Sequence, residues 1–184
     1  MNPVVLYGFD DERTKIRFDV PVKGRKGPAQ VHVPRFDYID EDTFDAIMAE
    51  LEAMDVEQQL CAVANDVAAA GAGVEVTWEP LLEDARTQLT QAGAVISRRK
   101  TQDVITAPDQ SVVDHLAGTW GAVKPLPFRK RSRQIALAML RHVVTDDEYQ
   151  WFEALPSGDL DKMLTAWKDA STITLGESGA SSTS

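Results

Sequence analysis

The stretch that most constrains the fold is residues 125–170, where three helical patterns follow one another with clear breaks. Pro125 and Pro127 separate it from the preceding chain, because proline removes a backbone donor and disfavours helix in the residue before it. The apolar residues then recur at helical spacing in three successive blocks. The predicted helices span residues 129–143, 146–155 and 159–170. We therefore expect a compact three-helix unit at 125–170.

The second of these helices carries a clear start signal. Thr145-Asp-Asp-Glu148 is typical of a capping box, in which the threonine hydroxyl and the Glu148 carboxylate each bind the other residue's backbone amide. The large apolar side chains around it recur at spacings of three and four, which predicts one shared core. The predicted core consists of Leu137, Met139, Leu140, Val143, Phe152, Leu155, Leu160, Leu164 and Trp167.

The N-terminal region, residues 1–35, shows the period of two that is typical of strands. Ile16, Phe18 and Val20 alternate with charged residues, which predicts a half-buried strand over 14–22. A turn rich in glycine and lysine at 23–28 precedes a second predicted strand over 30–35, so that a β-hairpin with a basic tip is expected. Residues 4–7 are a candidate for a further short strand.

The middle region, residues 36–124, is predicted to be helical. Its first helix, about 41–54, carries an apolar stripe and has Asp40 or Asp42 as its predicted cap. The stripe consists of Phe44, Ile47, Met48, Leu51 and Met54. Further helices are predicted over 56–70, from about Pro80 to Gly93, and over 108–116. Residues 74–78 are a candidate for an extended segment or a short strand. Residues 94–107 are polar, carry Arg98-Arg-Lys100, and are predicted to form an exposed loop.

The C-terminal residues 171–184 are rich in glycine, serine and threonine, a composition that predicts a flexible tail. Together these regions predict an α+β fold that is mainly α, in which an N-terminal β-hairpin is followed by a helical bundle.

Composition and charge exclude several classes of function. The net charge of −10 over 184 residues repels nucleic acid on average. No apolar run approaches the roughly 20 residues that span a bilayer, and no leader pattern is seen at the N-terminus. A single cysteine provides neither an intrachain disulfide nor a thiolate metal site. We expect a cytoplasmic protein that binds neither membrane nor nucleic acid.

No constellation typical of an enzyme is found. His32, His115 and His142 lack a second histidine or cysteine at metal-ligand spacing, and His142 is most simply a partner of a helix C-terminus. Cys61 lies in an alanine-rich helical pattern, as a small buried apolar residue would. The paired carboxylates lie where helix caps belong, and no phosphate-binding glycine loop occurs. The sequence therefore predicts no catalytic residue, metal or cofactor.

One local charge anomaly remains, in the segment Phe128-Arg-Lys-Arg-Ser-Arg133. Between Arg98 and Arg133, eight basic and three acidic residues give this window a net charge of +5 within an acidic chain. The simpler interpretation is a solvated helix start that balances acidic neighbours. The alternative is a docking patch for an acidic protein or, less favoured, for nucleic acid. The candidate partner-binding residues are Arg129, Lys130, Arg131 and Arg133.

The sequence also resembles a known family. Three segments are similar to the tail assembly chaperones of long-tailed, siphovirus-type phages of actinobacteria: RFDVPVKGRKGPAQVHVPRFDYIDEDTFDAIMAELEAMD, KPLPFRKRSRQIALAMLRHVVTDDEYQWFEALPSGDLDKMLTAW and TLGESGASSTS. The resemblance covers residues 14–55 and 124–184 well and the middle loosely. It is an overall likeness without a catalytic motif.

The resemblance implies a non-enzymatic protein of the host cell cytoplasm. Such chaperones bind the tape measure protein, keep it soluble while tail tube subunits polymerise around it, and are absent from the finished virion. They are commonly made as a short form and a frameshift-extended form, and this chain's ending is similar to that of the short form. The implied partners are therefore the tape measure protein, the extended form of the same protein and, as a further candidate, tail tube subunits.

Two rival functions remain open. One is a virion component of the tail-terminator or head–tail connector type, which would be found in purified particles. The other is a nucleic-acid-binding regulator that uses Arg129 to Arg133, whose binding would depend on salt.

Overall fold

The computed structural model describes residues 12–121 and 128–171. The chain divides into two compact units. We call residues 1–50 with 128–184 the split unit, and residues 51–127 the inserted unit. The predicted α+β, mainly helical fold with an N-terminal hairpin is confirmed.

The split unit begins with the predicted hairpin. Strands β1 (Lys15–Val20) and β2 (Ala29–Pro34) pair antiparallel, with Lys15 opposite Pro34 and Val20 opposite Ala29. The alternation found in the sequence places Val20, Val31 and Val33 in the interior, as expected for a sheet with one solvated face.

The three helices predicted for the C-terminal region are present. They are α4 (Phe128–Arg141), α5 (Asp146–Glu153) and α6 (Ser157–Ser171). Thr145 and Glu148 form the predicted capping box: the Thr145 amide donates to Glu148 Oε2 at 2.9 Å, and the Glu148 amide donates to Thr145 Oγ1 at 3.4 Å. The box accounts for the start of α5 directly after the short connection from α4.

The hairpin and these helices share one hydrophobic core. All nine predicted core residues belong to it; Leu137, Met139, Val143 and Leu164 are partly buried and the others are buried. Met163 and three hairpin valines complete it. The Trp167 indole Nε1 donates to the Pro34 carbonyl at 2.7 Å, and its ring centroid lies 4.6 Å from that of Phe36. The hairpin and the helices, which lie far apart in the sequence, therefore fold together.

Helix α1 (Glu41–Ala70) is continuous. The prediction of two helices separated at Asp55 is wrong, because no glycine or proline interrupts the chain there and an acidic residue is accommodated in a helix. The predicted cap is confirmed: Asp40 Oδ1 accepts the Thr43 amide at 2.9 Å. This backbone hydrogen bond is the main cause that lowers the pKa of Asp40. The helix ends at Gly71, which adopts a positive φ of 87°.

The inserted unit contains a three-stranded sheet, for which the sequence offered only residues 74–78 as a candidate strand. Strand β3 (Glu75–Trp78) and strand β4 (Val95–Arg99) flank β5 (Gln102–Thr106), and both pair antiparallel with it. The prediction of an exposed loop at 94–107 is therefore wrong. The basic residues that suggested a loop lie on an edge strand and its turn, where Lys100 has a φ of 57° and charge is common.

Two short α-helices and a π-helical segment (Ala117–Gly121) complete the described part of the inserted unit. Helix α2 (Glu83–Gln91) starts three residues later than Pro80, where the sequence placed it, and ends near Gly93 as predicted. Helix α3 (Gln110–Leu116) is capped by Asp109, which accepts the amides of Ser111 and Val112. One core joins the second part of α1, the sheet and these helices: Val56, Leu60, Val63, Ala64, Val67, Leu81, Ala85, Leu89, Ala94, Ile105, Ala107, Val113 and Leu116.

Three predictions lie outside the described residues. They are the short strand at 4–7, the break at Pro125 and Pro127, and the tail beyond Ser171.

Candidate partner-binding surfaces

The basic segment that the sequence singled out opens helix α4, and one of its arginines has a role within the fold. Arg133 Nη1 donates to the Leu155 carbonyl at 2.5 Å, and Nη2 donates to the Glu153 carbonyl. Both acceptors lie at the C-terminal end of α5, where helical carbonyls lack partners and the helix dipole is negative. The guanidinium therefore satisfies the end of α5.

The other members of this segment are described less fully. Arg131 is half-buried and has a contact of its own. The side chains of Arg129 and Lys130 lie outside the described part of the chain. The assignment of Arg129, Lys130, Arg131 and Arg133 to partner binding stays a prediction, and the structure adds an internal contact for Arg133.

The histidines have separate environments. His32 is exposed on β2, with Nε2 3.8 Å from a Glu12 carboxylate oxygen, and His115 is exposed in the last turn of α3. His142 Nε2 lies 2.7 Å from Glu50 Oε2, and Arg141 donates to Glu50 Oε1 at 2.9 Å. His142 thus pairs with a carboxylate of α1 immediately after α4 ends. Among the described residues, no group of His, Cys, Asp or Glu could hold a metal ion.

Cys61 is buried in helix α1, as the sequence predicted for a small apolar residue. Burial is the main cause that raises the pKa of its thiol, and the charge of Glu57 adds to it. A raised pKa keeps the thiol protonated and unreactive. Cys61 therefore has the environment of a packing residue.

The inserted unit contains a buried carboxylate, Asp103, that the sequence did not indicate as a functional or structural site. Asp103 on β5 has no exposed surface, and its carboxylate accepts the Leu81 amide at 2.9 Å, Arg86 Nη2 at 2.5 Å and Arg98 Nε at 3.2 Å. Burial is the largest single influence on the pKa of Asp103 and raises it. The hydrogen bonds together lower the pKa by more than burial raises it, so the pKa lies below the ordinary value of 3.8. The carboxylate is saturated by partners of its own unit, which is the pattern of a structural ion pair.

The split unit has an apolar cleft of about 250 Å³. Its walls come from the end of β1 and from α5 and α6; they are Phe18, Asp19, Val20, Pro21, Phe152, Leu155, Asp159 and Met163. The two carboxylates at the cleft have local partners, since Asp19 lies 3.8 Å from Arg17 and Asp159 3.2 Å from Lys162. The cleft is therefore suited to an apolar side chain of a partner.

A second apolar surface lies on the first three turns of α1. Of the stripe predicted there, Ile47 is buried at 3% exposure, whereas Phe44 is 47% exposed and Met48 48% exposed. We call Phe44 and Met48 the α1 ridge. Because Phe44 and Met48 lie one helical turn apart, they form one continuous exposed apolar surface, which could contact another molecule.

The chain was compared with protein-family models, with curated proteins and with solved structures, and it matches none of them. Within residues 12–121 and 128–171, none of the helices combines the length and the apolar character needed to cross a membrane.

Proposed function

We propose that this protein is a non-enzymatic tail assembly chaperone of a siphovirus-type phage. It binds the tape measure protein in the host cytoplasm, keeps it soluble while the tail tube forms, and leaves before the virion is complete. Its other partners are a frameshift-extended form of the same chain and, as a further candidate, tail tube subunits.

The observation that carries this proposal is the correspondence between the resemblance and the fold. The likeness to the family covers residues 14–55 and 124–184, two segments separated by almost seventy residues. In the structure, residues 12–50 and 128–171 belong to one compact unit. Their cores are shared, since Val31 and Val33 pack with Leu140, Phe152 and Trp167. Most of the described residues in the two segments that resemble the family thus fold together, as expected if that unit carries the common function.

The surface of the split unit supports the same proposal. It presents an apolar cleft and the half-exposed α1 ridge. A chaperone for a long helical protein must cover apolar side chains reversibly, and partly apolar, partly charged surfaces suit that task better than a permanent apolar interface does.

The proposal is tested by co-expression with the tape measure protein encoded in the same genome. We expect the soluble fraction of the tape measure protein to rise and the two proteins to purify together through a tag on the chaperone. The matched control is a variant with an unfolded split unit, Leu140→Asp, expressed at the same level. Because Leu140 is fully buried, this variant should lose both effects. A tape measure protein that stays insoluble when it is co-expressed with the wild-type short form and also with the frameshift-extended form would refute the proposal.

Purified particles provide the complementary test. A chaperone is expected in the lysate of infected cells and not in particles purified from it. Stoichiometric recovery of this chain in particles would favour a virion component. Binding to duplex DNA that weakens steeply with salt and disappears in an Arg131→Ala, Arg133→Ala variant would favour the regulator.

A further inference from the structure

The α1 ridge consists of large apolar side chains that the fold leaves uncovered. Phe44 and Met48 are each about half exposed, although they neighbour the buried Ile47 on the same helix. Successive residues of an α-helix are rotated by about 100°. Phe44 therefore lies about 60° from Ile47 around the helix axis, and Met48 about 40° further on. The apolar face of α1 is wider than the part that its own unit buries.

Acidic residues border the ridge on the side away from Ile47. Glu41 lies about 20° beyond Met48 around the helix, and Asp45 about 60° beyond it. Both are exposed, and neither forms an ion pair with a residue that the structure describes. Residues 41–50 contain no lysine or arginine. The charged residues of this part of α1 that border the ridge are therefore all acidic.

We propose that the α1 ridge binds an amphipathic helix whose apolar residues are flanked by lysine or arginine. Apolar side chains at i and i+4 on an exposed helix face can pack against the apolar stripe of a second helix, ridge into groove. The acidic residues beside them favour a basic flank on that helix and disfavour an acidic one. This inference rests on the proposed function in one respect: it assigns the ridge to helices of the tape measure protein.

A second copy of this chain is a poorer occupant. In a two-fold symmetric contact the same surface faces itself. Glu41 and Asp45 of one ridge would then lie near Glu41 and Asp45 of the other, and such like-charge contacts oppose association.

The first test uses a pair of synthetic peptides and the whole chain. Each peptide has about 18 residues, or five helical turns, with leucines at positions i, i+3, i+4 and i+7; one has lysines beside the leucines and the other has glutamates. Binding is measured by fluorescence anisotropy. We expect the lysine peptide to bind, the glutamate peptide to bind at least about tenfold more weakly, and Phe44→Gln/Met48→Gln to weaken the lysine peptide by about tenfold or more.

Two further variants sharpen this test. Ala49→Gln is the matched control, because Ala49 is exposed on another side of α1 and should leave binding unchanged. Glu41→Lys/Asp45→Lys should reverse the preference in favour of the glutamate peptide. Glutamine and lysine are good helix formers, and unchanged circular dichroism verifies that α1 is retained. Equal binding by wild type and Phe44→Gln/Met48→Gln, no preference between the peptides, or no binding by wild type would overturn the inference.

The second test separates this inference from the proposed function. If wild type and Phe44→Gln/Met48→Gln capture the tape measure protein equally on co-expression, the ridge assignment is overturned and the chaperone function stands. If wild type captures no tape measure protein, the chaperone function is overturned. The peptide measurements then decide by themselves whether the α1 ridge binds a basic amphipathic helix. A concentration-dependent dimer that Phe44→Gln/Met48→Gln abolishes would assign the ridge to a second copy and overturn the inference.

Discussion

Replacement of Asp103 by asparagine is predicted to destabilise the inserted unit by about 3 kcal/mol. Asp103 is fully buried and receives hydrogen bonds from the Leu81 amide at 2.9 Å and from Arg86 at 2.5 Å. Asparagine has nearly the same shape but no charge, and its amide group would face guanidinium donors. Arg86, whose side chain is 23% exposed, would lose its carboxylate, and unpairing a buried charge is strongly destabilising.

The two arginines should contribute unequally. Arg98 is 52% exposed, so water screens its ion pair with Asp103 and its removal should cost less than about 1 kcal/mol. Arg86 is less exposed and closer to the carboxylate, so Arg86→Met should cost more than Arg98→Met. The expected order of destabilisation is therefore Asp103→Asn, then Arg86→Met, then Arg98→Met.

Urea unfolding measures these free energies, and hydrogen exchange read by mass spectrometry locates them. Exchange should accelerate in residues 75–106 of Asp103→Asn, where β3, β4 and β5 lie, and stay unchanged in residues 128–171. A loss below about 1 kcal/mol, or an Arg98→Met variant less stable than Arg86→Met, would contradict this account of the Asp103 site.

The same site predicts a pH dependence. The folded-state pKa of Asp103 lies below the ordinary value of 3.8, so the unfolded chain binds the proton more readily. This contribution to stability is present above pH 3.8 and is lost as the pH falls through the folded-state pKa. The difference in stability between wild type and Asp103→Asn should therefore be constant near neutral pH and shrink below about pH 4. A difference that grows on acidification would show that the sign is wrong.

Three further substitutions probe the split unit by the same urea assay. Trp167→Phe removes the donor of the 2.7 Å hydrogen bond to the partly buried Pro34 carbonyl at the end of β2 and should cost about 1–3 kcal/mol; no change would show that water replaces the indole. Leu140→Ala should cost about 2–5 kcal/mol, because Leu140 is fully buried; a cost under half a kcal/mol would place it outside the core. Arg133→Ala should cost about 1 kcal/mol by freeing the carbonyls at the end of α5, and Arg133→Lys less; faster exchange elsewhere than in α5 would contradict the capping role.

The parts of the fold that the sequence predicted are those governed by local patterns. The alternation of Ile16, Phe18 and Val20 gave the hairpin strand, and the spacing around Thr145 gave the capping box and the helix that follows. Each signal lies within one turn or one strand, so neighbouring residues alone determine it. Asp40 was likewise recognisable as a cap because its partner, Thr43, is three residues away.

The parts that the sequence missed depend on distant partners. Aspartate is unfavourable in a strand, and Asp103 becomes stable in β5 only because Arg86 and the Leu81 amide, some twenty residues earlier, supply its hydrogen bonds. Without those partners in view, residues 94–107 have the composition of a loop. Arg133 shows the same limit, since the carbonyls it satisfies lie at the far end of the next helix, some twenty residues later, and a basic residue at a helix start gives no sign of them.

The α1 ridge is the part of a predicted apolar stripe that the fold leaves half exposed. A wide apolar stripe on a helix predicts burial, but the spacing of its residues does not distinguish those that the fold buries from those that a partner covers. The structure makes that separation: Ile47 is enclosed, whereas Phe44 and Met48, within the same stripe, stay half exposed beside Glu41. Single exposed apolar side chains are ordinary. Two on adjacent turns beside acidic residues form a surface that favours an apolar partner with basic flanks. When an apolar stripe is wider than the part of it that the fold buries, the exposed remainder is therefore a physical reason to look for a partner there.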